Sequence, residues 1–350
     1  MDLPYFRGGP FCRKASDIEK MTDLEYTDDQ NHEVTAMSIL FPLSLLLPLV
    51  LSVLFGMVIQ PSAPFYLFLS ADPLYFLALL AAFFALTAFL FGLFTHEYSW
   101  VDRIWSLSPI LYAGFLTFRG WPDPRLILFT LLILLWGIHL TFNFARKGGY
   151  SGTEDYRWAE VRKIIKNPIL WQTFNFFFIS FYQHALILLF TLPLYFAYQH
   201  RRIPLSPLDG LFAALFLFFL SWETLADQQQ WDFHQKKKAT KDSSNPLSED
   251  LARGFLSSGL FRYSRHPNYF GEIMIWWTVY FGCVSCSGKW LHWSILGPIL
   301  LTLLFQGSSW LTELLSCRKY PEYRNYQKET RKIIPFLPKK PLSSQGEAAE

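Results

Sequence analysis

The feature that most limits what this chain can fold into is its succession of long apolar runs with few charges. They recur near 36–59, 74–95, 104–118, 126–145, 172–197, 208–225, 272–287 and 293–311. A helix needs about 20 apolar residues to cross the hydrocarbon core of a bilayer. Inside lipid, the backbone polar groups must be satisfied within the segment itself. The runs therefore predict an all-α fold, a polytopic transmembrane helical bundle of about eight spans, with seven to ten also compatible. The runs 104–118 and 272–287 are short and call for tilting or extension. Pro42, Pro48, Pro109, Pro193 and Pro298 interrupt some runs, which membrane helices tolerate. Only 17% of residues are charged, against about 25% for a soluble domain. The 35 Phe residues suit lipid-facing helices and interfacial rings. A net charge of +3, with basic residues dispersed over separate loops, argues against a nucleic-acid partner.

The polar segments predict organisation. Residues 1–35 carry many acids and no basic-then-apolar pattern, so they read as a polar, disordered tail rather than a signal peptide. Residues 36–95 read as N-terminal transmembrane helices, 96–337 as the main transmembrane domain with polar loops, and 338–350 as a second disordered tail. With eight spans, 26 Lys and Arg residues fall on one side and 5 on the other. The positive-inside rule makes the basic side cytosolic and places both termini there.

Cys283 and Cys286 form a C-x-x-C at the end of an apolar run, with no second cysteine pair to complete a metal site. Three polar clusters lie on the basic side. The densest, RYSRHPNYFGE at 262–272, sets Arg262, Arg265 and His266 before Pro267, then Asn268, Tyr269 and Glu272 at a helix start. Arginines suit an anion such as phosphate; Asn268 and Glu272, four apart, share a helical face. In the second cluster Glu223 and Asp227 are also four apart, apt for hydroxyl or amide groups. Two carboxylates without a histidine or third acid are a weak metal signature, and no metal is expected. In the third, Asn143 and Arg146 can face one cleft, and the loop beyond supplies Glu154, Asp155, Tyr156 and Arg157. His139 reads as a bundle-packing histidine; Gln183 and His184 read as interhelical hydrogen-bonding groups. Near the C-terminus, Glu313, Arg318 and Tyr323 can close over a ligand. The loops thus suit a charged soluble cofactor, and the bundle suits a greasy substrate.

The run YSRHPNYFGE at 263–272 resembles the steroid 5-alpha-reductase superfamily, in its multi-pass membrane branch. The likeness extends to VDRIWSLSP at 101–109, LWGIHLTFNFARKGGYSGTEDYRW at 135–158, WETLADQQQWDF at 222–233 and KYPEYRNYQKETRKIIPF at 319–336. It implies a reductase that uses NADPH to reduce a carbon–carbon double bond in a steroid-like or other lipid substrate. It also implies an endoplasmic reticulum membrane setting, with membrane lipid and a hydrophobic small molecule as partners. The family's asparagine and glutamate fall on Asn268 and Glu272, the latter at the nicotinamide end. Its paired polar residues fall on Glu223 and Asp227, the first being asparagine in the family. Arg253, Arg262 and Arg265 are then phosphate candidates, with His266 near the cofactor. Asn143, Arg146, Asp155, Arg157, Tyr263, Arg318 and Tyr323 complete the cofactor-facing set.

The sequence departs from the family at Glu313, which stands where steroid reductases carry a tyrosine seven residues before the Y-P pair, here Tyr320 and Pro321. An enone needs its carbonyl oxygen polarised as hydride arrives. Tyr269, Tyr263 or a protonated Glu313 would have to do this, or the substrate differs; Glu272, Tyr269 and Glu313 are the catalytic candidates. The rival reading is a membrane methyltransferase that binds S-adenosylmethionine, since such enzymes also carry R-H-P-x-Y-x-G, matched by 265–271. A non-catalytic lipid-binding membrane protein is the third.

Overall fold

The computed structural model describes residues 40–55, 71–240 and 249–338. The two expected disordered tails, 1–35 and 338–350, lie outside them apart from residue 338. Among the described residues there is no strand.

The chain runs through α1 (Leu40–Phe55), α2 (Pro73–Thr95), α3 (Trp100–Trp105), α4 (Ser108–Gly120) and α5 (Pro124–Arg146). Next come α6 (Tyr156–Ile164), α7 (Pro168–Thr191), α8 (Pro193–Gln199) and α9 (Pro207–Ala239). The last are α10 (Glu249–Arg253), α11 (Pro267–Val284), α12 (Leu296–Lys319) and α13 (Tyr323–Glu329). Each expected apolar run contains helix. Among the described residues, five helical segments are long and apolar enough to cross a membrane: α2, α5, α7, α9 and Trp293–Lys319, which includes α12. The runs expected to be short are short, with α4 at 13 residues and α11 at 18.

Six prolines begin helices rather than break them. Proline leads α2, α5, α7, α8, α9 and α11, where its missing N–H removes no intrahelical bond. The residue before it often caps. Asp72, Asp123 and Asn167 accept from backbone N–H groups of the first turn at 2.9–3.1 Å. Ser206 and Asp209 form a reciprocal capping box on α9.

Helical periodicity sorts each span into a bundle face and a lipid face. On α5, Leu131, Leu134, Leu135, Ile138 and Phe142 are exposed, while Leu132, Ile133, Trp136 and Asn143 are buried. On α9, Phe212, Phe216, Phe219, Glu223, Ala226 and Asp227 form the buried stripe. Its acids thus continue the face that the phenylalanines begin. With 33 residues, α9 is about 50 Å long, well beyond the roughly 30 Å hydrocarbon core. At its opposite end, buried Arg125 of α5 grips Asp209 at 2.6 and 3.0 Å and also donates to the Ile203 and Pro204 carbonyls.

Helices α9 and α11 pack closely. A Cβ on Gly271 would lie 2.8 Å from Glu223 Cβ and 3.1 Å from its Cα. After α12 the chain returns to α11. Arg265 and His266 donate backbone N–H bonds to the carbonyls of Arg331 and Lys332, and Phe336 donates to Tyr263. Ser264 Oγ donates to the Ile333 carbonyl at 2.7 Å.

Candidate cofactor site

Asp227 is the centre of a buried polar cluster built by α5, α9 and α11. Its Oδ2 accepts from Asn143 Nδ2 at 2.7 Å, and its Oδ1 from Asn268 Nδ2 at 3.3 Å. Lys147 Nζ stands 3.9 Å from Oδ1. Asn143 is itself oriented, because its Oδ1 accepts from Arg146 Nε and Nη2 at 2.9 and 2.7 Å. Arg146 also donates to Gln228 and lies over the Trp231 ring. Its guanidinium thus organises the wall of the cluster.

Glu272 lies one turn along α11 from Asn268. Its two oxygens accept from Trp136 Nε1 at 2.6 Å and Trp276 Nε1 at 3.0 Å. The two indoles meet edge to face, 5.0 Å apart. A carboxyl in an apolar interior must be hydrogen-bonded, and the indole N–H groups meet that need. Glu223 lies beside Glu272, brought there by the close approach at Gly271. Its Oε2 is buried and accepts no hydrogen bond.

A second cluster surrounds Glu313. Arg265 Nε and Nη2 reach its carboxylate at 2.7 and 3.0 Å, and Gln327 donates at 2.8 Å. His266 Nε2 is 3.0 Å from Glu313 Oε1. Burial holds the His266 imidazole below its usual value, against the pull of Glu313. Arg265 also donates to the carbonyls of Gln327 and Thr330. Glu313 is therefore the acceptor in a bidentate ion pair, a poor position for a proton donor. Arg265 is occupied in the same way and offers little to a phosphate.

The third cluster joins the 147–157 loop to α11 and α12. Arg157 donates to both oxygens of Asp155 at 2.6–3.0 Å. Burial works to raise the Asp155 carboxyl, but hydrogen bonds and charge from Arg157 hold it below the usual range. Tyr156 lies close to Thr312 of α12, and Tyr269 lies within electrostatic reach of Tyr156 and Arg157. The Tyr269 ring stacks on His266, 5.1 Å away, and tilts against Phe305 at 4.7 Å. Tyr269 therefore stands between the second and third clusters.

Of the residues expected at a cofactor site, Asn143, Arg146, Glu223, Asp227, Asn268 and Glu272 converge. Asp155, Arg157, Arg265, His266, Tyr269 and Glu313 form the two adjoining clusters. The rest are placed differently. Arg253 pairs with Glu249 at 2.5 Å and Glu322 at 3.1 Å. Tyr323 is buried in an aromatic group with Phe255 and Tyr326. Arg262, Tyr263 and Arg318 are exposed. Trp136, His139, Lys147 and Trp276 were not among the expected site residues. Residues 136, 139, 143 and 147 recur every three or four positions, so the helical period was the available signal.

Comparison with known proteins places this architecture in a family. A protein of Schizosaccharomyces pombe, the uncharacterized protein C594.04c, is 38% identical over 259 residues, 70% of this chain and 75% of that protein. A second from the same organism, the uncharacterized protein C9.08c, is 30% identical over 136 residues, 36% of this chain and 44% of that protein. No solved structure matches. The family of proteins of unknown function designated DUF1295 matches residues 88–330, which takes in all three clusters, and this chain belongs to it.

Proposed function

We propose that this chain is a membrane reductase that binds NADPH and reduces a carbon–carbon double bond in a hydrophobic, lipid-class substrate. The observation that carries this reading is the convergence on Asp227 of Asn143 and Asn268, from helices far apart in the sequence. The family resemblance puts Glu272 at the nicotinamide end, the family's asparagine at Asn268, and ribose or amide recognition at the Glu223–Asp227 pair. The chemistry of the donor set fits that end of a dinucleotide. Asp227 Oδ1 accepts ribose hydroxyls, and the Asn268 amide pairs with a carboxamide. For the phosphates, exposed Arg262 and Arg318 make no ion pair among the described residues, and Lys147 has a half-exposed ammonium. NADPH would supply the hydride; the protein's part is to position the cofactor and keep water from it. With Glu313 held by Arg265 and Tyr263 exposed, Tyr269 is the group left to polarise a carbonyl. The basic face carries these clusters, so the site opens to the cytosol in this reading, in an endoplasmic reticulum membrane.

Thermal unfolding of the purified full-length protein, with NADPH or with S-adenosylmethionine, tests the reading. NADPH is expected to raise the midpoint, and to do so less in Asn268→Ala and Glu272→Gln. Protection by S-adenosylmethionine alone would favour the methyltransferase instead. Protection of a folded sample by neither would remove both enzyme readings.

A further inference from the structure

We propose that His139, Glu223 and Asp227 form a binding site for a divalent transition cation, Zn²⁺ being the best match to one imidazole and two carboxylates. Each residue presents one ligand atom, and these atoms lie within 4.8 Å of one another. Glu223 and Asp227 are adjacent on one face of α9, and α5 brings His139 to them. The sequence alone offered two acids and no third ligand; the fold supplies the histidine.

The hydrogen bonding around His139 sets which nitrogen faces the acids. The Thr224 hydroxyl donates to the Leu220 carbonyl at 2.7 Å. Its oxygen also lies 3.3 Å from His139 Nδ1. With its proton committed, the hydroxyl accepts there, so Nδ1 carries the imidazole proton. Nε2 then presents its lone pair, 3.4 Å from Asp227 Oδ2. A backing hydrogen bond of this kind orients a metal-binding histidine. Two ligands with bonds of about 2.0–2.1 Å in a tetrahedron are separated by about 3.3 Å, close to the observed 3.4 Å.

Two lone-pair atoms facing each other repel unless a proton or a cation lies between them. Glu223 adds an independent sign. It is 3% exposed, its Oε2 accepts no hydrogen bond, and it makes no ion pair among the described residues. A buried carboxyl oxygen without a partner is costly. The Glu272 carboxyl stands within hydrogen-bonding reach of it, and two adjoining buried carboxyls need a shared proton or a cation between them. Lys147 approaches the other Asp227 oxygen, Oδ1, and Asn143 donates to Oδ2, fixing that carboxylate as an outer-shell group would. Three protein ligands leave a coordination position for water or a substrate oxygen. Asp227 Oδ1 stays available to a nucleotide, so the cation does not depend on the reductase reading.

The test uses the detergent-purified full-length chain, stripped with a chelator, loaded with Zn²⁺ alone and passed over a desalting column. Metal analysis is expected to find stoichiometric Zn²⁺ in the wild type. Affinity should fall by more than about tenfold in Glu223→Gln and in His139→Gln, with elution volume showing both folded. Loading with Co²⁺ gives a second measurement that needs no variant. Its visible spectrum should show nitrogen and oxygen ligands without sulfur. Wild-type protein that retains no Zn²⁺ would overturn the proposal, leaving His139 and Asp227 as a polar contact without metal. So would thiolate-to-Co²⁺ charge transfer, or retention unchanged in both variants. Nucleotide plays no part in any arm, so failure here leaves the NADPH reading standing.

Discussion

Gly271 sets how closely α9 and α11 approach, and with that the position of Glu223 relative to Glu272. A methyl group there meets the Cβ and backbone of Glu223, neither of which can swing aside. Gly271→Ala should therefore destabilise the protein by about 1–3 kcal/mol, as overpacking does, despite alanine's helix advantage of about 1 kcal/mol. Thermal unfolding in detergent measures this; an unchanged or higher midpoint would contradict the packing. Asp102, on α3, gives a prediction of a different kind. Burial, joined by the charge of Asp155, pushes its carboxyl up to about 6, against Arg157 and hydrogen bonds from Ser99 and Trp158. A carboxyl raised on folding binds its proton more tightly in the native state. Its contribution to stability is therefore greatest in acid and falls as pH rises from about 4 to about 6. Asp102→Asn has no such proton to lose. Its midpoint should gain on the wild type between about pH 4.5 and pH 7.5, and a constant difference would count against the buried carboxyl.

At the scale of elements, the Arg265 side chain latches the C-terminal segment to the start of α11, beside the backbone bonds and the Ser264 hydroxyl that also join them. Arg265 joins Glu313 of α12 to the carbonyls of Gln327 and Thr330, while its own backbone pairs with Arg331. Removing one partner from a buried pair costs about 3–5 kcal/mol, because the other charge stays buried. Arg265→Gln should expose 320–338 to limited proteolysis before the spans unfold; cleavage no faster than in the wild type would show the latch to be dispensable. Apolar runs and leading prolines made the helices legible in the sequence, because the runs exceed any soluble need and proline fits the first turn. The pairing of α9 with α11 was less legible. Four-residue spacing put Glu223 with Asp227 and Asn268 with Glu272, but no local pattern says that the two faces meet. Arg265 shows the same limit. Its type suits phosphate, yet its partners come from residues 48 to 66 positions away. The Trp136 and Trp276 indoles were hidden for another reason: in an aromatic-rich chain, two tryptophans read as packing until their N–H groups are seen on Glu272.

At the scale of the whole molecule, five helices among the described residues carry lipid-length apolar surface, and Glu223, Asp227 and Glu272 sit on the inward faces of α9 and α11. A bundle of this kind can present a hydrophobic substrate from the membrane to a soluble cofactor held by the loops. In the proposed reading the ligand engages the buried Asp227 centre rather than the Arg265–Glu313 pair, whose groups are already matched. The most direct test is an equilibrium titration of NADPH fluorescence with the purified full-length protein and Asn268→Ala. The account predicts saturable binding to the wild type, unaffected by S-adenosylmethionine and weakened about tenfold by the substitution, as expected for loss of a buried hydrogen bond. Equal affinity in the two proteins, displacement by S-adenosylmethionine, or no binding to a folded wild type would contradict it.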